Sequence, residues 1–437
     1  MPLCLGRKFR KCCVKWEAVL FRQMSFLACS ENRPHPAVRN DNTLPLVVSR
    51  LMTARGARSL GQGALVAAFT LYLHALGWTA PEIGATLSAA LLAGAVLTMA
   101  VGPLSDRRGR RRFLLIYEAL QAGAALLALI TAWPTALVLA AIAGGFGRGA
   151  NGSAGPFAPL EQAWVAQALP AEKRGTIFSV NAAIGFIGMA LGALLAGGVQ
   201  LLIGPLGPVL AYRPLFLLSL AGSVSAFVLI AGLHEPPSAR QSSVRPASPE
   251  RLGENRMLAR LVIANTLNGL GIGMIAPLIA YWFALRFQHG PGTIGPALAA
   301  SFVLGAIGSV AVARVASRYG LIRPVIVMRG MGLVLLTMVP LVPAFGISAA
   351  LYALRTGFNQ GTSGVRQALV VGLTRDRRGL AASLQNVSIQ IPRAVGPLVS
   401  GLMLHEGMLR TPFFIAAALQ MAYLVLYAWF FRGYAAG

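Results

Sequence analysis

GPLSDRRGRRR, Gly102 to Arg112, is the stretch whose reading decides the fold. It separates two apolar segments, near 84–104 and 113–132, each about long enough to cross a ~30 Å hydrocarbon layer as a helix. Five arginines in eleven residues cannot enter lipid, so the turn lies in water. Positive charge within reach of helix ends marks that face as cytoplasmic.

Composition agrees with a chain that lives in a bilayer. Of 437 residues, 56% are hydrophobic and only 12% charged, with a mean hydropathy of +0.66, which is too apolar for an ordinary soluble protein. The net charge of +25 does not mean nucleic acid. Its arginines punctuate apolar runs, whereas a nucleic-acid binder needs a continuous basic surface in water. All four cysteines fall within the first 29 residues, so no disulfide framework can hold the apolar remainder. Residues 1–50 are expected to be a cytoplasmic, disordered extension, with a basic membrane-surface segment or acylated Cys12 and Cys13 as alternatives. No signal peptide is evident there.

Apolar runs of about 20 residues occur twelve times, near 60–78, 84–104, 113–132, 135–159, 176–203, 213–233, 258–285, 293–313, 324–343, 346–372, 380–404 and 411–431. The basic residues test that layout. Eleven lie in 1–58, five in 105–112, two in 170–174, five in 234–260, three in 314–323, three in 374–379 and one at Arg432, making 30 of 38 on one face. The opposite connections hold Arg213, Arg286 and Arg410. Both termini are therefore expected in the cytoplasm, with the chain multi-pass in the cell (inner) membrane. The connection 234–257 is rich in proline, serine and charge, which is linker chemistry. It divides an N-terminal unit, 51–233, from a C-terminal unit, 258–432, with a tail at 433–437. The two units repeat: LEQAWVAQALPAEKRG (Leu160 to Gly175) returns as VRQALVVGLTRDRRG (Val365 to Gly379), and ARVASRYGLIR (Ala313 to Arg323) is a worn copy of the opening stretch with Ser317 in place of Asp106.

The order and spacing of Gly102, Leu104, Asp106, Arg107, Gly109, Arg110 and Arg111 resemble the loop signature of the major facilitator superfamily. The likeness extends from about Arg55 to Arg432. It implies an all-α membrane protein of twelve transmembrane helices in two pseudo-symmetric six-helix bundles around a central site, opened alternately to either face. The function it implies is secondary active transport of a small organic solute by a monomer in the lipid bilayer, with protons as the coupling ion that such a family would supply. Multidrug-type efflux of amphipathic compounds is an alternative, and a non-transporting receptor or scaffold is one of another class. No enzyme, cofactor or metal site is expected, since a nucleotide-cradling GxxxxGK loop, a His/Cys cluster and a nucleophile elbow are all missing from the sequence.

By the same resemblance Asp106 is a latch acceptor at the cytoplasmic face, with Gly102, Arg107, Gly109 and Arg110 shaping the turn. Glu161 and Arg366 occupy matching places in the repeats, each followed by Gln-Ala. They are expected either to close a cytoplasmic gate, alone or with Arg174 and Arg378, or to sit in headgroup water. Arg148, Arg355 and Arg393 fall within apolar spans, where a guanidinium costs about 3 kcal/mol or more unless paired or wetted. They are candidates for substrate or coupling, joined by the polar helix residues Asn181, Asn268 and Gln390. Asn265, Gln385 and Asn386 share that polar character. No acid is expected near the middle of a span, with Glu118 about a turn from the inner face and Glu161 at an inner end. A cationic interior without acids favours an anionic substrate. Gly185, Gly188, Gly192 and Gly197, and Gly396, Pro397 and Gly401, are read as close helix-packing positions.

Overall fold

The computed structural model describes residues 45–148, 155, 158–235, 250–320, 322–372 and 378–431. Among them the chain is helical almost throughout. The first half comprises α1 (Leu46–Ala75), α2 (Ala80–Arg108), α3 (Arg110–Ile130), α4 (Pro134–Gly144), α5 (Ala158–Gln167), α6 (Ala171–Gly197), α7 (Val199–Leu210) and α8 (Arg213–Ala231). The second half comprises α9 (Glu250–Ile275), α10 (Ile279–Phe287), α11 (Pro291–Tyr319), α12 (Ile322–Met338), α13 (Phe345–Gly372), α14 (Arg378–His405) and α15 (Thr411–Phe431). Eight of the described helical segments are long and apolar enough to cross a membrane.

Local chemistry sets many of the boundaries. Thr79 and Glu82 form a capping box at the start of α2, the Thr79 N–H donating to Glu82 Oε2 at 2.7 Å and relieving an orphan donor of the first turn. Proline occupies the first turn of α2, α4, α8 and α11, where its missing N–H costs nothing. Spans four and seven are interrupted. After α4 the backbone turns left-handed at Gly145 (φ 68°) and Gly147 (φ 76°). Between α9 and α10 lies a 3₁₀ turn, Ala276–Leu278, containing Pro277, which cannot donate to the helix ladder.

Several helices outrun the apolar windows. α1 begins at Leu46, inside the expected extension, and α9 begins at Glu250, inside the expected linker. Hydropathy reports the lipid-immersed length only, and a helix can project beyond it into water. Span five closes at Gly197, short of 203, because α7 starts a new segment containing Pro205 and Pro208. The opening stretch is not a loop. α2 runs through Arg108 and α3 starts at Arg110, so Gly109 alone (φ 91°, ψ 135°) makes the turn, a conformation that glycine adopts without a Cβ clash.

Within the first bundle α1 packs on α6 and α8, and α3 on α4 and α8. Within the second, α9 packs on α14 and α15, and α13 on α11 and α12. The glycines Gly188 and Gly192 lie against Gly56 and Leu60 of α1, so close that a β-carbon would strike the α1 backbone. Small residues are what let helix axes approach without a bulky contact. The bundles meet where α2 crosses α14 and α6 crosses α11. At the end of the molecule away from Gly109, Gly84 faces Pro397 and Gly401, and Gly295 faces Ala193 and Gly197, again backbone on backbone. There the Leu398 N–H donates to Ser88 Oγ at 2.9 Å, and the His74 and Tyr281 rings stand 5.2 Å apart. The outer surface carries Ile130, Trp133, Leu139, Leu201, Val228, Val334, Val425 and Trp429, all exposed, an apolar coat suited to lipid tails.

Candidate functional site

Three groups of buried polar residues stand out. In the first bundle, Arg58 of α1 donates through Nη1 to Glu118 Oε1 of α3 and through Nη2 to Glu161 Oε2 of α5, the latter at 2.7 Å. Arg58, Glu118 and Glu161 are 3%, 0% and 2% exposed. The second oxygens, Glu118 Oε2 and Glu161 Oε1, have no hydrogen-bond partner among the described residues. Arg55, one turn earlier on the same face of α1, is buried as well, and it fits because position 185 is glycine: a β-carbon there would come within 2.8 Å of Arg55 Nε.

These placements set the expected gate residues apart in this conformation. Glu161 neither lies in headgroup water nor meets Arg366; it is enclosed in its own bundle with Arg58. Arg366 is buried in the other bundle, its Nη1 donating to Tyr423 Oη at 3.4 Å. Arg174 is exposed and its Nε donates to the Leu169 carbonyl at 3.1 Å, just past the end of α5, and among the described residues it forms no ion pair. Glu118, expected near the water, is wholly enclosed. For the two acids the physical reason is the same: a buried ion needs a partner of opposite sign within its own packing unit, and Arg58 supplies one to both.

At the turn, the acid that the structure describes is Glu235. Its two oxygens accept from the Arg110 and Arg111 backbone N–H groups, each at 2.9 Å, and Arg111 Nη2 donates to the Ala231 carbonyl at 2.5 Å. A carboxylate at a helix N-terminus satisfies orphan donors and meets the positive end of the dipole. The side chains of Asp106, Arg107 and Arg378, and the surroundings of Gly102, lie outside the described residues.

Between the bundles sits the second group. Arg148 follows the left-handed Gly145 and Gly147; its side chain lies over Gly94 and Gly145, and Nη2 donates to the Ile142 carbonyl. Arg393 Nη2 in turn donates to the Arg148 carbonyl at 3.0 Å, joining α14 to the interrupted fourth span, and its Nη1 donates to Gln390 Oε1 at 3.4 Å. Arg355 lies 5.8 Å from the Tyr352 ring centroid, and Tyr352 is within electrostatic reach of both Arg355 and Arg393. All three arginines are buried, none is bonded to a carboxylate among the described residues, and the Nε of each is unpartnered, as is Arg148 Nη1. Asn181 is buried with an unpartnered Oδ1, and Asn265 Nδ2 donates to Ser388 Oγ at 3.2 Å.

The third group centres on Arg329 of α12, which sequence reasoning did not single out. Its Nε donates to Thr362 Oγ1 at 3.0 Å and its Nη1 to Asn268 Oδ1 at 2.8 Å. A signal was available: Arg329 follows Gly320 by the nine residues that separate Glu118 from Gly109. Arg58 was hidden differently, since it stands at the edge of an apolar run among arginines that set topology.

Comparison with known proteins places this arrangement. The chain is 22% identical over 413 residues to a membrane protein of Saccharomyces cerevisiae, YJR124C, covering 86% of this chain and 92% of that one. It is 22% identical over 385 residues to the quinolone resistance protein NorA of Staphylococcus aureus, covering 84% and 92%. Among solved structures, a bacterial homolog of the human lysosomal transporter Spinster, in an inward-facing and unoccupied conformation, superposes with a TM-score of 0.69 at 12% identity, covering 90% of this chain and 98% of that one. The family model of the Major Facilitator Superfamily matches residues 51–260 and again 261–436, and with two six-helix bundles meeting over a buried polar centre the chain belongs to that superfamily of transporters.

Proposed function

We propose that this transporter moves a small organic anion by alternating access and is driven by protons. The observation that carries the reading is the convergence of two enclosed carboxylates, Glu118 and Glu161, on the single guanidinium of Arg58. Both acids are enclosed and each keeps one oxygen without a hydrogen-bond partner among the described residues, so loss of hydration favours a proton on one of them while the other keeps Arg58. Arg55 beside them brings the cluster to formal neutrality when both acids are ionised and so opposes that uptake. Arg148, Arg355 and Arg393 supply donors for the solute. Guanidinium groups recognise carboxylates and phosphates through paired hydrogen bonds, and these three keep unused N–H groups at the junction of the bundles.

The units 51–233 and 258–432 act as the two rocking bodies, Asp106, Arg107 and Arg378 serve the end that bears Gly109, and that end faces the cytoplasm of the cell membrane together with both termini. In this orientation the glycine contacts of α2 with α14 close the extracellular mouth, as in an inward-facing state. The chain works as a monomer, each copy holding a complete site.

Proteoliposome transport tests the reading, using a panel of labelled carboxylates and phosphates with and without a pH gradient. The gradient is expected to accelerate accumulation of at least one anion about tenfold. In Glu118→Gln the response to the gradient disappears while anion counterflow, which needs no net proton movement, continues. Flux of neutral compounds alone, unaffected by Arg148→Ala or Arg393→Ala, contradicts it. Such an outcome would favour efflux of amphipathic compounds, for which the similarity to NorA is the supporting observation.

A further inference from the structure

The two bundles repeat one succession of helices and differ in buried charge. Gly61 and Gly63 of α1 correspond to Gly271 and Gly273 of α9, which sets Arg58 opposite Asn268. Gly109 corresponds to Gly320, which sets Glu118 opposite Arg329, and the repeated Gln-Ala sets Glu161 opposite Arg366. Where the first bundle has Arg58 between two acids, with Arg55 beside them, the second has one amide beside two cations. Arg329 and Arg366 are 7% and 8% exposed. They share Tyr423: the Arg329 guanidinium lies 5.6 Å from its ring centroid, and Arg366 donates to its hydroxyl at 3.4 Å.

Two like charges enclosed together repel, and each has lost its hydration. Neither is bonded to a carboxylate among the described residues. Three of the groups left over can donate: Arg366 Nε, Asn268 Nδ2 and the Tyr427 hydroxyl are buried without a hydrogen-bond partner, as is one acceptor of this bundle, Asn359 Oδ1, and the Tyr427 ring lies 5.6 Å from that of Tyr423. Enclosed donors require an acceptor, and enclosed cations require a negative charge.

We propose that Arg329 and Arg366, with Asn268 and Tyr427, bind a small inorganic anion of the chloride class inside the C-terminal bundle. The site shares no residue with the solute centre between the bundles, although Arg355 of that centre is within electrostatic reach of Arg329, and it does not depend on the transported compound being an anion. The ion does for Arg329 and Arg366 what Glu118 and Glu161 do for Arg58.

The experiment is thermal unfolding of the purified full-length protein in lipid nanodiscs, with sodium gluconate exchanged for sodium chloride at constant ionic strength so that surface screening is unchanged. Chloride is expected to raise Tm saturably, by about 3 °C at a hundredfold excess over Kd. Tyr427→Phe removes one neutral donor while keeping the ring, and is expected to weaken chloride binding about threefold to tenfold. Arg366→Glu places a carboxylate beside Arg329, as Glu161 stands beside Arg58, and is expected to unfold at the same temperature in both salts. Arg393→Gln keeps the chloride response. A wild-type protein indifferent to chloride overturns the proposal, as would be the case if Asp376 provided the counter-charge and Asp376→Asn alone lowered Tm. Loss of the response in Arg393→Gln overturns it too, by moving the ion to the solute centre, and a response unchanged in both Tyr427→Phe and Arg366→Glu does the same.

Discussion

Arg58 holds two carboxylates, and its removal would leave both enclosed without a cation. Arg58→Ala is therefore expected to destabilise the protein by about 3–5 kcal/mol, seen as a fall in Tm and in membrane yield. Combining it with Glu118→Gln and Glu161→Gln removes the stranded charges and is expected to recover most of that loss, which the same melting experiment reads. Lysine at this position offers a point charge and cannot fork between two acceptors, so Arg58→Lys should fall between wild type and Arg58→Ala. This centre was poorly legible in the sequence for a definite reason. The partners of Arg58 are 60 and 103 positions away, and nothing local distinguishes an arginine that enters the bundle from one that stops at the lipid surface. Glu161 and Arg366 were legible as a matched pair because their neighbours repeat, but matching positions in two repeats sit in two different bundles. Their equivalence foretold corresponding positions in the two bundles and not contact.

At the scale of elements, the turn between α2 and α3 depends on one glycine and one distant carboxylate. Glu235→Ala strips the N-terminus of α3 of its acceptor and is expected to cost about 1 kcal/mol, with faster amide hydrogen exchange confined to the first turn of α3. The crossing of α2 with α14 depends on the absence of side chains at Gly84 and Gly401. A valine at either position forces those helices apart, so Gly84→Val is expected to lengthen the distance between spin labels at Trp78→Cys and Glu406→Cys and to lower the population of this closed arrangement. The run of glycines along α6 announced close helix neighbours, which are α1 at Gly185, Gly188 and Gly192 and α11 at Gly197. The breaks in spans four and seven were less visible. Gly145, Gly147 and Pro277 lie inside continuous apolar runs, and hydropathy has no term for backbone direction.

For the whole molecule, alternation of apolar run and basic turn revealed the bundle architecture before any packing was considered, because burying a helix in lipid demands length and apolarity and little else. The proposed orientation has a direct check: cysteines introduced at Arg112 and Arg323 should react with an impermeant maleimide from one side of the membrane, and one at Arg410 from the other. The seam of Gly84, Pro397 and Gly401 bears on how this protein meets its surroundings. Main chain pressed against main chain offers nothing for an electrolyte to weaken, so that mouth should stay shut equally in dilute and in briny medium, and only what happens deeper within can persuade it to part.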